Sequence, residues 1–386
     1  MLDFQREYAD LRTEVLAAIE EVCSSQRFIL GPQVERFEKA AAMACGAAHA
    51  IGCASGTDAL WLALAALEIG PGDAVITTPF SFFATVSSIL RAGAQPLLAD
   101  IDPLTFNLAP AAVDDLVTNH TGTRIRAVMP VHLYGQCAQM DDFHALAQQH
   151  NLKLVEDAAQ AFGAEWTFGA GSTHMAGTTH RAGTLGDIAA FSFYPTKNLS
   201  AYGDAGMCTT DNPRLAERMT MLRAHGMRQR YFHDEVGWNS RLDTLQAAVL
   251  SVKLRRVEAG NARRRQIAAL YDSLFRATGL TAATTDLGIV LPITDPRATH
   301  VFHQYVIRAP RRDALREHLT THKIGTEIYY PQPLHLQASL ANLGYKLGDF
   351  SHSERAAAEV LALPIFPELR NDEVETVVEA IRRFYQ

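Results

Sequence analysis

The sequence predicts an α/β fold: a mostly parallel sheet covered by helices, with a smaller C-terminal α+β domain. Two observations carry this. Short apolar, strand-like runs recur at 74–78, 95–99, 127–131, 152–155 and 188–193, separated by helical stretches, the pattern of parallel strands joined by crossover helices. A chain of 386 residues, 48% hydrophobic and 20% charged, is long enough for one large core plus a second, smaller unit.

In chain order, a helical lead-in at 5–24 comes first. The small, polar segment Gly52-Cys-Ala-Ser-Gly-Thr-Asp-Ala-Leu60 then opens an apolar helix at 59–67. The run at 188–193 reads as a buried strand because it is short, apolar and aromatic and follows Gly186-Asp187. A continuous helical region at 242–274 leads into the C-terminal part, which has a strand at 304–308 and helices at 312–322 and 372–385. The expected division is therefore 1–250 and 251–386, the second unit including the connecting helix. No internal repeat or low-complexity linker interrupts it.

Composition narrows the function classes. A net charge of −7 gives no reason to expect nucleic acid as a partner. The basic groups Arg255-Arg256 and Arg263-Arg264-Arg265 read as the solvated face of a helix. Five cysteines, at scattered positions without Cys-x-x-Cys spacing, suggest neither a disulfide framework nor zinc. No apolar run reaches the roughly 20 residues of a membrane span. The first residues carry charge from Asp3 onward without the apolar core of a signal peptide. The expectation is a reduced, cytoplasmic protein with no membrane partner.

The chemistry concentrates at the ends of the predicted strands. Pro195 stops the run Phe191-Ser-Phe-Tyr-Pro-Thr-Lys-Asn198, which puts Lys197 on the loop just beyond. A single lysine there is ordinarily solvated; the same position suits the Schiff-base lysine of a pyridoxal phosphate (PLP) enzyme. Three further parts accompany it. Ser55, Gly56 and Thr57 stand at a helix start, where unpaired N–H groups suit a phosphate and a hydroxyl also suits simple capping. The strand at 152–155 delivers Glu156 and Asp157 at its carboxyl end, where open α/β sheets bind ligands. One of these two, pointing opposite ways by strand alternation, can pair with a pyridine nitrogen; capping of a helix at 158–162 explains either as well. Finally, Thr77-Thr-Pro-Phe-Ser-Phe-Phe-Ala-Thr85 holds three phenylalanines, either core or the wall for a flat ring. Ser192 alternates with Phe191 and Phe193 and can reach a phosphate.

In these residues the chain resembles the DegT–StrS family of PLP-dependent sugar aminotransferases, a branch of the aspartate aminotransferase-like fold. The resemblance spans about 27–367. It rests on Phe28-Ile-Leu-Gly-Pro32, Ala54-Ser-Gly-Thr-Asp-Ala-Leu60, Pro79-Phe-Ser-Phe-Phe-Ala-Thr85, Val131-His-Leu-Tyr-Gly-Gln136 and Glu156-Asp-Ala-Ala-Gln-Ala-Phe-Gly-Ala164. Residues 191–206, Gly237-Trp-Asn-Ser-Arg-Leu-Asp243 and Tyr329-Tyr-Pro-Gln-Pro-Leu-His335 continue it in order. It implies PLP as cofactor, with Lys197 as its Schiff-base partner and proton shuttle. Asp157 is implied at the pyridine nitrogen, Gln160 at the ring hydroxyl and Phe82 on the ring face. Gly56, Thr57 and Ser192 hold the phosphate, with Asn239 contributed by a neighbouring subunit, so a homodimer with shared sites is implied. Tyr329, Tyr330, Arg241 and His335 fall at the substrate.

The partners so implied are a nucleotide-linked ketosugar and L-glutamate. Residues 225–248 look most like members acting at C3 of the sugar, whereas members acting at C4 more often carry an aromatic residue at the position of Ser240. Tyr329 stands where the family's uronate enzymes have histidine. Retention of Lys197 argues against the family's lysine-less dehydratases. A 4-ketosugar aminotransferase, a PLP-dependent lyase or cyclase, and a PLP-binding regulatory protein remain as alternatives.

One segment departs from the family pattern. Residues 167–182 are longer than the usual turn, and their Gly, Ser and Thr content predicts a flexible loop. Its place between Asp157 and Lys197 leaves it free to fold over the site. His174 and His180, without a third ligand, do not make a metal site.

Overall fold

The computed structural model describes residues 2–172, 175–286 and 288–386. Its strands are β1 His49–Cys53, β2 Asp73–Thr77, β3 Gln95–Leu98, β4 Arg124–Val128, β5 Lys153–Asp157, β6 Glu165–Thr167 and β7 Thr179–Arg181. They continue as β8 Ile188–Ser192, β9 Gly206–Thr210, β10 Met227–Gln229, β11 Phe232–His233, β12 Ala298–Thr299, β13 Tyr305–Arg308 and β14 Val360–Leu363. Seven of them form the central sheet in the order β1-β9-β8-β5-β4-β2-β3. The run from β8 to β3 is parallel. β9 is antiparallel to both its neighbours, so β1 points the same way as β8. The ends of β1, β2, β5 and β8 thus open onto one edge.

Each face of this sheet is covered by apolar side chains. The Gly56–Ala66 helix buries Trp61, Leu62, Ala63 and Leu64, apolar around its girth as a helix enclosed by other elements must be. The opposite face packs Phe37, Phe143, Trp166, Phe191 and Leu250. The C-terminal part pairs β13 with β14 and surrounds them with helices. Its core, including Tyr271, Phe275, Ile307, Leu361 and Ile381, also takes in Phe80, Val131 and Tyr134 from the first part, so the two regions share a packed seam directly beside the strand ends.

The five expected strands are present, each within a few residues of its predicted limits. β1 and β9 were not expected. The predicted helical stretch at 242–274 is two helices, Thr244–Leu254 and Val257–Thr278. It also starts late, because Thr244 N–H bonds back to the Phe28 carbonyl. No helix forms at 158–162, where the chain makes tight turns closed by Ala161 N–H to Ala158 O and Ala164 N–H to Ala161 O.

The segment at 167–182 is not an open loop at its ends. β6 pairs with β7 and β12. Asp141 accepts from Trp166 Nε1 at 2.7 Å and from Gly169 N at 2.9 Å, tying the insertion to the Met140–His150 helix. Among the described residues, none of its hydrogen bonds reaches a candidate site residue. His174 lies outside the described residues, and His180 Nε2 meets Thr178 Oγ1 at 2.9 Å. No group of three metal-ligating side chains occurs among the described residues, and none of their helices is long and apolar enough to cross a membrane.

The basic groups are not simply a solvated face. Arg255 and Arg256 pair with Glu14. Arg264 is buried and donates to the carbonyls of Phe302, His303 and Ile365.

Candidate active site

At the helix start after β1 stands a glycine that no other residue can replace without movement. A Cβ on Gly56 would lie 2.5 Å from Ser192 Cβ, and one on Gly206 would lie 2.3 Å from the Ser55 carbonyl carbon. Both glycines therefore let the helix start press against the ends of β8 and β9. Ser55 caps the helix by accepting from Asp58 N at 3.1 Å, and its carbonyl takes Ala59 N–H. The amides of Gly56 and Thr57, in the first turn, have no partner within the helix and carry its positive end. With the Ser192 hydroxyl alongside, this is a nest that fits a phosphate.

Strand alternation separates the two acids of β5. Glu156 faces the interior, where it accepts from Gly183, Leu185 and Gly186 amides at 2.7–2.8 Å and meets His132 Nε2 at 3.0 Å. Those four partners account for it as a structural group, in place of the helix cap its position suggested. Asp157 turns to the open edge. Its Oδ2 accepts from Thr85 Oγ1 at 2.7 Å and its Oδ1 from Ala159 N at 3.3 Å. Burial raises its pKa, opposed by those donors and by the charge of Lys197.

Lys197 follows β8 in a turn closed by its own N–H to the Tyr194 carbonyl at 2.9 Å. Asn198 anchors the turn from behind, donating to Asn261 Oδ1 at 2.8 Å and the Val301 carbonyl at 3.1 Å. Desolvation lowers the Lys197 pKa from 10.5 to about 8, with Asp157 pulling the other way. A lysine so placed is partly neutral near neutral pH, which suits both nucleophile and base.

Gln160 bridges outward from this pair. Its Oε1 accepts from Tyr134 N at 2.7 Å and its Nε2 donates to Tyr330 Oη at 3.1 Å. The three phenylalanines divide: Phe80 is fully buried, while Phe82 is 59% exposed, its ring 6.3 Å from that of Tyr330. The Tyr134 hydroxyl donates to the Tyr329 carbonyl, and Leu334 N–H to the Pro79 carbonyl at 2.7 Å, so the segment at 329–334 runs along the wall that carries Phe82.

His335 does not face this site. Its side chain is 0% exposed, bonded through Nε2 to Glu354 at 3.0 Å and set against Phe350. Its Nδ1 has no hydrogen-bond partner among the described residues. Asn239 is exposed and makes no side-chain hydrogen bond among the described residues. Arg241 is partly buried, its Nε without a partner among the described residues.

Three groups at the site were not singled out from sequence: Thr85, Tyr134 and His303. Thr85 and Tyr134 stand in motifs that carry the resemblance, yet which of several hydroxyls reaches Asp157 or the segment at 329–334 is a tertiary fact. His303 Nδ1 meets Asn198 Oδ1 at 3.3 Å, and burial together with the charges of Lys197 and Arg264 holds its pKa well below the ordinary imidazole range.

The site's residues fit PLP on their own evidence: an amide nest, a buried carboxylate, an exposed aromatic face and a desolvated lysine share one edge. Comparison with known proteins gives the same answer. The model of the DegT/DnrJ/EryC1/StrS aminotransferase family matches residues 9–382. A "pleiotropic regulatory protein" of Geobacillus stearothermophilus is 47% identical, over 100% of this chain and 98% of that one. The dTDP-3-amino-3,4,6-trideoxy-alpha-D-glucose transaminase of Streptomyces venezuelae is 42% identical, over 99% and 95% respectively. The crystal structure of S. venezuelae DesV in complex with a ketimine intermediate superposes with a TM-score of 0.91 at 41% identity, covering 100% of this chain and 97% of that chain.

Proposed function

We propose that this chain, which belongs to the DegT/DnrJ/EryC1/StrS aminotransferase family, takes an amino group from L-glutamate and places it on C3 of a nucleotide-linked ketosugar. It is a PLP-dependent sugar aminotransferase. The C3 position is supported by the 3-amino sugar in the name of the S. venezuelae transaminase and by the look of residues 225–248. Glutamate as donor, a homodimer and a cytoplasmic location complete the reading.

The observation that carries it is Lys197 desolvated in the turn just beyond β8, within the field of the buried Asp157 that ends β5 and is held by Thr85. Bound PLP supplies an electron sink that acidifies the carbon bearing the amino group. The chain's residues do the rest. Lys197 would hold PLP through Nζ, and its amine would carry a proton from the donor's α-carbon to the cofactor, and from the cofactor to the sugar carbon in the second half-reaction. Asp157, held by Thr85, keeps the pyridine nitrogen protonated. Gln160 would hold the ring hydroxyl, and Phe82 would stack on the ring. Gly56, Thr57 and Ser192 hold the phosphate, with Asn239 of a second copy closing the cup. Tyr329, Tyr330 and Arg241 meet the sugar substrate. In this division the 1–250 unit provides the cup and the acid, and the 251–386 unit provides the tyrosine wall.

The test is a visible spectrum in two steps. Glutamate added to PLP-loaded protein should bleach the cofactor band, and a nucleotide 3-ketosugar, offered after the donor is removed, should restore it. Restoration by a 4-ketosugar alone refutes the C3 assignment. A band that no amino donor changes refutes the transfer reading in favour of a lyase or a regulatory role.

A further inference from the structure

The segment that carries Asn239 is fastened to the helix that builds its own protomer's phosphate cup. Ser240, 1% exposed, donates from Oγ to Asp58 Oδ2 at 3.0 Å. Asp58 is the third residue of the Gly56–Ala66 helix and is itself capped by Ser55. Its other oxygen takes Arg91 Nη1 at 2.8 Å, and Arg91 lies 3.6 Å over the Trp61 ring. On the other side of Asn239, Trp238 packs against Trp61, its N–H bonded to the Leu222 carbonyl at 2.7 Å. Trp238 and Ser240 are thus both tied to the Gly56–Ala66 helix, while Asn239 between them is exposed.

We propose that Asp58 and Ser240 are positioning residues: Asp58, rooted in one protomer's cup, holds Ser240 and thereby sets Asn239 for the cup of the second copy. The inference rests on the reading that Asn239 acts across the dimer. It makes each cup dependent on the other protomer's helix start. The backbone here is already held by Ser240 N–H to the Arg223 carbonyl at 2.9 Å, and a buried hydroxyl whose partner is a carboxylate adds a strong, directional restraint to it.

The experiment measures PLP affinity from the visible band in apo-protein that retains its native melting temperature and dimeric size. Ser240→Ala should weaken binding about fivefold to tenfold, as the loss of one well-placed hydrogen bond does, and Ser240→Thr should recover most of it. In an Asn239→Ala background Ser240→Ala should add nothing, because both act through one group. Mixed dimers then decide the direction. With both substitutions on one chain, one of the two cups should keep native affinity; with one substitution on each chain, neither should. The reverse pattern means that Ser240 serves its own protomer's cup, and it overturns the proposal. If the Asn239→Ala homodimer binds PLP as tightly as native protein, the shared-cup reading itself fails and the inference falls with it.

Discussion

Replacing Thr85 with valine tests whether Asp157 is tuned by its neighbour or merely buried beside it. The substitution keeps the shape and removes one hydroxyl, which bonds Asp157 Oδ2 at 2.7 Å and Ser81 Oγ at 2.8 Å. A hydrogen bond to a charged group contributes about 1.5–3 kcal/mol, here favouring the carboxylate over the protonated acid. Burial already pushes the Asp157 pKa upward, and the Thr85 hydroxyl is the largest of the effects resisting it. The sign follows: without that donor the acid holds its proton to higher pH. A protonated Asp157 cannot support the pyridinium, so the acid limb of the kcat/KM profile should move to higher pH and kcat should fall at neutral pH. A conservative Thr85→Ser variant should restore most of the native profile. A pH–rate profile for Thr85→Val superimposable on the native one, with correctly folded protein, would refute the assigned role of Asp157.

Other consequences are as direct. Glu156→Ala strands three backbone amides and His132 in a fully buried setting; it should cost about 3–5 kcal/mol of stability, read in denaturant unfolding. Gly56→Ala forces a Cβ to within 2.5 Å of Ser192, so PLP affinity should fall, and a second substitution, Ser192→Gly, should recover part of the lost packing at about 1–3 kcal/mol. The lowered Lys197 pKa of about 8 predicts that apo-protein captures PLP at a rate rising with pH and half-maximal near that value. A midpoint near 10.5, the ordinary value for lysine, would mean the amine is not desolvated.

Strand existence was legible where apolar runs were bounded by turns, as at β2, β3, β4, β5 and β8. β1 and β9 were not. His49-Ala-Ile-Gly-Cys53 and Gly206-Met-Cys-Thr-Thr210 hold few residues of high strand propensity, and their pairing with each other and with β8 supplies what their own residues do not. The break after Leu254 was hidden because the sequence there has no proline or glycine. The site was legible at its strand ends, where a lysine, an acid and a helix start could each be tied to a location. Alternation alone left open which of Glu156 and Asp157 could reach a ring; the resemblance implied Asp157, and the structure spends Glu156 on three amides and His132. The partner of His335 was not legible: it sits in the 3₁₀ turn Leu334–Leu336 and meets Glu354, 19 residues further along the chain.

Lys197 is the proposed point of attachment for the cofactor. Reduction of the PLP-loaded protein with borohydride, followed by proteolysis and mass spectrometry, reads that directly. The account predicts a pyridoxyl group on the peptide bearing Lys197 and none on that site in Lys197→Ala. A pyridoxyl group found instead on another lysine, with Lys197 unmodified, would contradict it.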